Sequence, residues 1–445
     1  MNSYLRIRKE DANGVSSLHI TILAILGVFA LIIFDITSLF SYGYTMLLLL
    51  GSSFYICRND MKNVLFTYHF LMLFAIAFTL IFKEQSPEYL GMTGHEGGIG
   101  TDDCRFYAQI VEGIGIRYQI MVSLSILHPF SVFFKTIYPF TVHTPLNLVL
   151  VNLLFGAYLP IFSKKFATAI FENDDIGKTA FWLSLLCPFT LYYSCILVRE
   201  SLTALLVIAG LYYYTKKQYI ALITCIFILA FIRLGTLSFL LCGIFLLYWM
   251  GRNKRSVILF VFLMILIIYA FYLIPGAISG LSGGKLDSDI IRLQFLEGYE
   301  DSTISKIMKL PFPLNILLST LFFLFIPLLN IPKPAEGHYL VSSFFINLFT
   351  PFYLFYLWKF LINASLTSIS EKKYNIKMIF YLIILFALLL GTISLQFRHK
   401  SVLFPIICIL AAYGKINYNK NFGAISILFS FGIISIELLL TIMKI

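Results

Sequence analysis

Charge is what this chain has least of. Only 12% of its 445 residues are Asp, Glu, Lys or Arg, against 59% hydrophobic and 17% aromatic. So few polar side chains could not cover a soluble globular domain, and that class is excluded. The alternation of apolar and polar residues over about ten positions that a transmembrane barrel needs is missing too. The sequence contains no Walker segment, no dinucleotide fingerprint and no GxSxG elbow, which argues against direct use of ATP and against a serine hydrolase of that type. Of seven cysteines, Cys57, Cys187, Cys195, Cys225, Cys242 and Cys408 fall in or beside apolar runs, leaving Cys104 in a polar segment. Without CxxC or His/Cys spacing, neither a disulfide framework nor a zinc or haem site is expected.

What is present is a succession of apolar runs, each long enough as a helix to cross a hydrocarbon core of roughly 30 Å. They are apolar on every side, which in lipid leaves only the α-helix. The expected fold is therefore an all-α, polytopic membrane protein with about 12–14 spans, forming one transmembrane domain over residues 1–445. The spans are placed at 17–36, 39–57, 63–82, 144–163, 179–197, 200–215, 218–233, 235–250, 256–275, 343–362, 378–395, 401–414 and 422–441. No small-residue cleavage site follows the first run, so it is expected to be retained.

The net charge of +11 does not point to nucleic acid, because the basic residues sit in small groups between spans. Examples are Arg58 with Lys62, Lys164 with Lys165, Lys216 with Lys217, and Arg252 with Lys254 and Arg255. Placing these groups in the cytoplasm puts the N-terminus inside and leaves two long outer loops, 83–143 and 276–342. Residues 313–331, with prolines at 313 and 327, are read as re-entrant, since counting them as a span would invert the basic cluster at 372–377. The stretch 119–141 is expected to lie along the outer surface. The sizeable inner connector SKKFATAIFENDDIGK is read as a surface helix, its Asp174 and Asp175 as a solvated face.

Long loops in a compact membrane protein usually carry function. The first holds GGIGTDDCRFYAQIVEG, in which Asp102 and Asp103 stand between a glycine run and a short amphipathic helix, with Asp103 nearer the N-cap. Ionisable residues at the outer ends of spans are costly and mark function by default. These are Arg199 and Glu200 in LVRESL, Arg233 in FIRLG, and Arg398, His399 and Lys400 in FRHKS, to which the loops add Arg105, Arg117, Asp287, Asp289 and Arg292. Arginines with a few carboxylates in one compartment suit a diphosphate, whose oxygens the guanidinium fork binds in pairs. His95, His128, His143 and His338 are scattered and read as polar loop residues.

An acidic motif in the first outer loop, followed by an aromatic and a short helix, resembles the GT-C superfamily of polyprenyl-dependent glycosyltransferases. The stretches CPFTLYYSCILVRESLTALLVIAGLYYY and FRHKSVLFPIICILAAYG are similar to polytopic bacterial sugar polymerases, and the nearest likeness is to O-antigen or capsule repeat-unit polymerases of the Wzy type. The resemblance implies a bacterial inner-membrane enzyme that, on the periplasmic leaflet, transfers a glycan from undecaprenyl diphosphate to the non-reducing end of a lipid-linked repeat unit. Its partners would be such lipid-linked glycans, membrane lipids and a chain-length regulator. Asp102 or Asp103 would take the acceptor proton, Arg199, Arg233, Arg292 and Arg398 would meet the leaving diphosphate, and Tyr107 would stack on a sugar. Arg105, Arg117, Glu200 and His399 complete the expected substrate site. No cofactor is expected, and no ligand set for a divalent metal is found. Two other readings stand beside this one: a GT-C transferase that moves a single sugar from a polyprenyl phosphate, and a flippase for a lipid-linked glycan.

Overall fold

The computed structural model describes residues 15–85, 92, 102–111, 128–252, 310, 314, 317–318, 320, 340–371, 374–393 and 401–442. Among these no strand occurs and the chain is almost wholly helical. In order the helices are α1 (Ser17–Phe34), α2 (Ser38–Ile56), α3 (Met61–Gln85), α4 (Asp102–Val111), α5 (Pro129–Ile137), α6 (Pro145–Phe171), α7 (Asp174–Leu185) and α8 (Pro188–Ser194). They continue with α9 (Glu200–Thr215), α10 (Tyr219–Ile232), α11 (Leu234–Arg252), α12 (Leu340–Glu371), α13 (Tyr374–Ile393), α14 (Phe404–Ile416) and α15 (Gly423–Ile442). Helices α1, α2, α3 and α6 are each long and apolar enough to cross a membrane; α10, α11 and α13 are shorter apolar helices, and α14 and α15 meet at 114°. These are the helices of a membrane-embedded protein. The expected span at 256–275 and nearly all of the second loop, with its re-entrant segment, lie outside the described residues.

Helix α6 is the axis of the bundle: 94% of its apolar window is inside the protein, and α2, α3, α7, α8, α9 and α14 all pack on it. Its start is locally determined. Pro145 occupies the first turn, where a missing N–H costs nothing, and Asn147 Oδ1 accepts from the backbone N–H groups of His143 (2.9 Å) and Thr144 (3.0 Å). Asp35, in the α1–α2 turn, fastens that start to its neighbours by accepting from Thr37, Ser38 and Thr144 hydroxyls at 2.5–2.6 Å. Burial pushes this carboxyl up, but the three donors outweigh it and hold it below the usual carboxylate range. In contrast α1 is only 11% buried and turns Ile25, Phe29 and Ile32 outward, the pattern of a helix that meets lipid.

Two expectations are corrected. The connector SKKFATAIFENDDIGK is not a separate surface helix, because Ser163–Phe171 continues α6 and the next helix starts at Asp174. Glu172 ends α6 in the left-handed conformation (φ 53°), and Asn173 caps α7 by accepting from the N–H groups of Asp175 and Ile176. Asp174 and Asp175 are exposed as expected, Asp175 lying 3.5 Å from Lys178. The second correction concerns 179–197, which is not one continuous span. Helix α7 stops at Leu185, Pro188 opens the seven-residue α8, and residues 195–199 are not helical. Pro188 explains the break, since proline lacks an N–H and disfavours helical geometry at the residue before it.

The ends of the bundle differ in chemistry. At one end Lys164 Nζ lies 2.5 Å from Asp60, and Lys165 donates to the Ile56 carbonyl (2.8 Å) beneath the Phe162 and Tyr212 rings, next to the turn holding Lys216 and Lys217. The other end carries Asp35, the start of α6, α4 and α5, and the α8–α9 and α10–α11 junctions, at which Arg199 and Arg233 stand.

Close backbone approach depends on small residues where lipid gives no hydrophobic drive between helices. A Cβ on Gly414 of α14 would run into the Phe360 carbonyl of α12, whereas one on Gly51 of α2 would meet nothing within 4 Å. Gly414→Ala is therefore expected to destabilise by about 1–3 kcal/mol through overpacking. Gly51→Ala should melt with the wild type when both detergent-solubilised variants are followed by thermal unfolding.

Candidate functional site

The site is assembled from three chain segments at the end of the bundle away from the lysines. Arg199 precedes α9, Glu200 opens it, and Arg233 sits between α10 and α11. The α10–α11 junction brings Arg233 Nη1 to 3.4 Å from Glu200 Oε1, and the carboxylate is only 1% exposed. A carboxylate at that depth is stable only when paired and hydrogen-bonded, so the Arg233 contact is a condition of the fold there. With the half-buried Arg199 adjacent, two guanidinium groups face one carboxylate.

A second layer comes from the first loop. His128 caps α5, its Nδ1 accepting from the Phe130 N–H at 3.0 Å, and its Nε2 lies 2.6 Å from Arg199 Nη1. The opposite side of the same turn is held by Gln109 of α4, whose Oε1 accepts from the His128 N–H (3.1 Å) and the Ser131 hydroxyl (2.8 Å). The Phe106 ring stands edge-on to His128 at 5.2 Å and to Phe130 at 4.9 Å. Thus α4 packs on α5 and α5 packs on α10, which carries the acidic helix to the arginines.

The structure accordingly brings Arg199, Glu200 and Arg233 together and links them to the helix of Asp102 and Asp103. Helix α4 begins at Asp102, so Asp103 lies within the first turn and not at the N-cap that its sequence position suggested. Its carboxylate is 2% exposed and accepts from the Cys104 N–H at 2.9 Å. Negative charge in that turn is favoured by the helix dipole. Phe106, one turn on, shares the face of Asp103 and points to His128. Tyr107 is half-buried against the core, and Arg105 belongs to the same helix. Arg117, Arg292, Arg398 and His399 lie outside the described residues. Among the described residues no group of three metal-ligating side chains occurs.

Sequence reasoning missed His128 and Gln109. The signal present was His-Pro: a histidine just before a proline at the first helical position can serve as a cap. The His128 imidazole is held well below its ordinary range, at about 4, by burial first and then by the Arg199 and Arg233 charges. It is therefore neutral at physiological pH, and the positive charge of the site rests on the guanidinium groups.

Two outcomes follow. Arg233→Met, which strands Glu200 without its partner, should cost about 3–5 kcal/mol in unfolding free energy, as breaking a buried pair does, and the double variant Arg233→Met/Glu200→Met should recover most of it. For His128 the sign is that of a base whose folded pKa is depressed. The unfolded chain takes up the proton first, so stability is lost as pH falls from about 6.5 towards about 4. Melting temperature across that window should fall less steeply in His128→Asn than in the wild type. No family model, curated protein or solved structure matches this chain, and its chemistry is read from the cluster itself.

Proposed function

We propose that this protein is a membrane glycosyltransferase that polymerises lipid-linked repeat units, moving a glycan from a polyprenyl diphosphate to the non-reducing end of an acceptor glycan. The observation that carries this reading is the Arg199–Glu200–Arg233 cluster at one end of the bundle, coupled through His128 and Gln109 to the helix that bears Asp102 and Asp103. When the glycosyl bond breaks, negative charge grows on the departing diphosphate. Two guanidinium groups already fixed by a buried carboxylate stabilise that charge without reorganising. One of the two aspartates takes the proton of the attacking hydroxyl. Asp103 accepts from the Cys104 N–H within the first turn of its own helix, and we assign the proton transfer to Asp102.

The charge asymmetry supports the same reading. Lysines at 164, 165, 216 and 217 gather at the end opposite the cluster, and by the positive-inside tendency that end faces the cytoplasm, putting the cluster on the outer, periplasmic leaflet of a bacterial inner membrane. A donor held on that leaflet reaches the arginines from the lipid side while its sugars extend into water.

Protein reconstituted in vesicles with a lipid-linked oligosaccharide should yield a ladder of products spaced by one repeat unit. Asp102→Asn and Arg199→Ala should each reduce elongation roughly a hundredfold or more, the loss typical of removing a general base or an electrostatic stabiliser. A single added mass increment would instead identify a transferase of one sugar, and unchanged elongation in both variants would remove the site assignment.

A further inference from the structure

The end of the bundle away from Arg199 carries a second cluster of cations. Helix α14 finishes there at Ile416, level with the end of α6, since the Phe171 and Tyr413 rings stand 4.9 Å apart. Gly414 lets α14 lie against the Phe360 carbonyl of α12. One turn further along α12 the buried Asn363 fixes the chain that follows α14. Its amide donates to the Asn419 carbonyl (2.9 Å), and its oxygen accepts the Asn419 N–H (3.0 Å). The turn carrying Tyr418 is thereby held in place by the protein alone.

Aromatic rings line this seam between α12 and α14. Tyr356 meets Phe360 edge-on at 4.6 Å, and Phe360 meets Tyr418 at 5.8 Å. Lys359 Nζ stands 5.4 Å from the centres of both Phe360 and Tyr418, and Lys415 Nζ stands 5.5 Å from that of Tyr356. Ring faces attract the two ammonium groups, and the lysine stems pack beside them. The charge itself is left unneutralised. Ion pairs among the described residues are Lys164–Asp60, Lys178–Asp175 and Arg233–Glu200, and neither Lys359 nor Lys415 belongs to one. Two like charges gathered on one ring cluster favour an anion beside them.

That anion has an apolar neighbour. Phe349, Phe352 and Tyr356 follow one another at three- and four-residue spacing on the face of α12 that leads to Lys359, and all three are exposed. Because α12 runs towards the lysine-bearing end, the two phenylalanines lie deeper than Tyr356 and Lys359. The order apolar, tyrosine, lysine matches a phospholipid read from acyl chain to phosphate. A soluble anion would make no use of the phenylalanines.

We propose that the α12–α14 seam binds an anionic phospholipid, its phosphate held by Lys359 and Lys415 and its acyl chains laid along Phe352 and Phe349. By the positive-inside tendency this lipid belongs to the inner leaflet, on the opposite side from the Arg199 cluster.

The test takes the full chain in a neutral detergent and counts bound molecules by native mass spectrometry. The probes are short-chain phosphatidylglycerol, phosphatidylcholine with the same chains, and glycerol phosphate. Phosphatidylglycerol should bind the wild type about tenfold or more tightly than either of the others. Lys359→Gln/Lys415→Gln should weaken it about thirtyfold, the combined effect of two lysines at a membrane surface. Lys216→Gln/Lys217→Gln, an equal loss of charge at the same end, should change it by less than about twofold. Lys359→Arg/Lys415→Arg keeps both charges and should bind within about threefold of the wild type, which separates lost binding from a damaged seam. Equal losses in the two glutamine pairs would mean attraction to any basic surface, and equal binding of phosphatidylcholine would mean contact with the chains alone. Either result overturns the inference. Glycerol phosphate binding as tightly as the lipid overturns it as well, by assigning the lysines to a soluble anion.

Discussion

A carboxylate buried to 1% exposure beside two arginines constrains everything around it. Glu200 opens α9, and an ionised group at that depth must keep a guanidinium within reach. Arg233 therefore fixes where α10 ends and α11 begins, and Arg199 fixes how the chain enters α9. The result is a positively charged corner built by helices that are otherwise apolar on all sides. Such a corner attracts anions more strongly than an exposed pair would, because the low dielectric beneath it does little to weaken the field.

The corner is also held from above. Helices α4 and α5 are short and lie against the bundle end, joined by Gln109 to the α5 cap and by the Phe106, Phe130 and Phe134 rings to the core. Their packing sets helix α4, which includes Asp102 and Asp103, beside the α5 cap whose His128 reaches Arg199. Residues as far apart as Gln109, His128, Arg199 and Arg233 are linked in this way because α4 packs on α5, α5 on α10, and α10 on α9 and α11.

Much of this was legible in the sequence, for physical reasons that differ by element. The long apolar runs gave helix limits close to those observed, as with Ser38–Ile56 against the expected 39–57, because a run apolar on every side has one way to satisfy its backbone in lipid. The chain direction of each helix then placed Arg199 and Arg233 at one end. The 179–197 segment has the hydropathy of a span, yet Pro188 breaks its helix, which hydropathy does not register. The cap formed by His128 had a signal in His-Pro, but its contact with Arg199, 71 residues away, had none. The helix expected after the two aspartates starts at the first of them, within the ordinary uncertainty of a helix start.

The break between α7 and α9 bears on how the protein is made. Residues 195–199 leave the helix inside the bundle, and the Asn152 amide of α6 donates to the Ile196 carbonyl at 2.8 Å, supplying a donor where the helix gives none. A strand of backbone with such unmet groups is not a unit that lipid will accept by itself. The stretch from Pro188 to Arg199 must therefore enter the membrane against an α6 already in place. Biogenesis of this region is then a paired event in which the earlier helix acts as solvent for the later one.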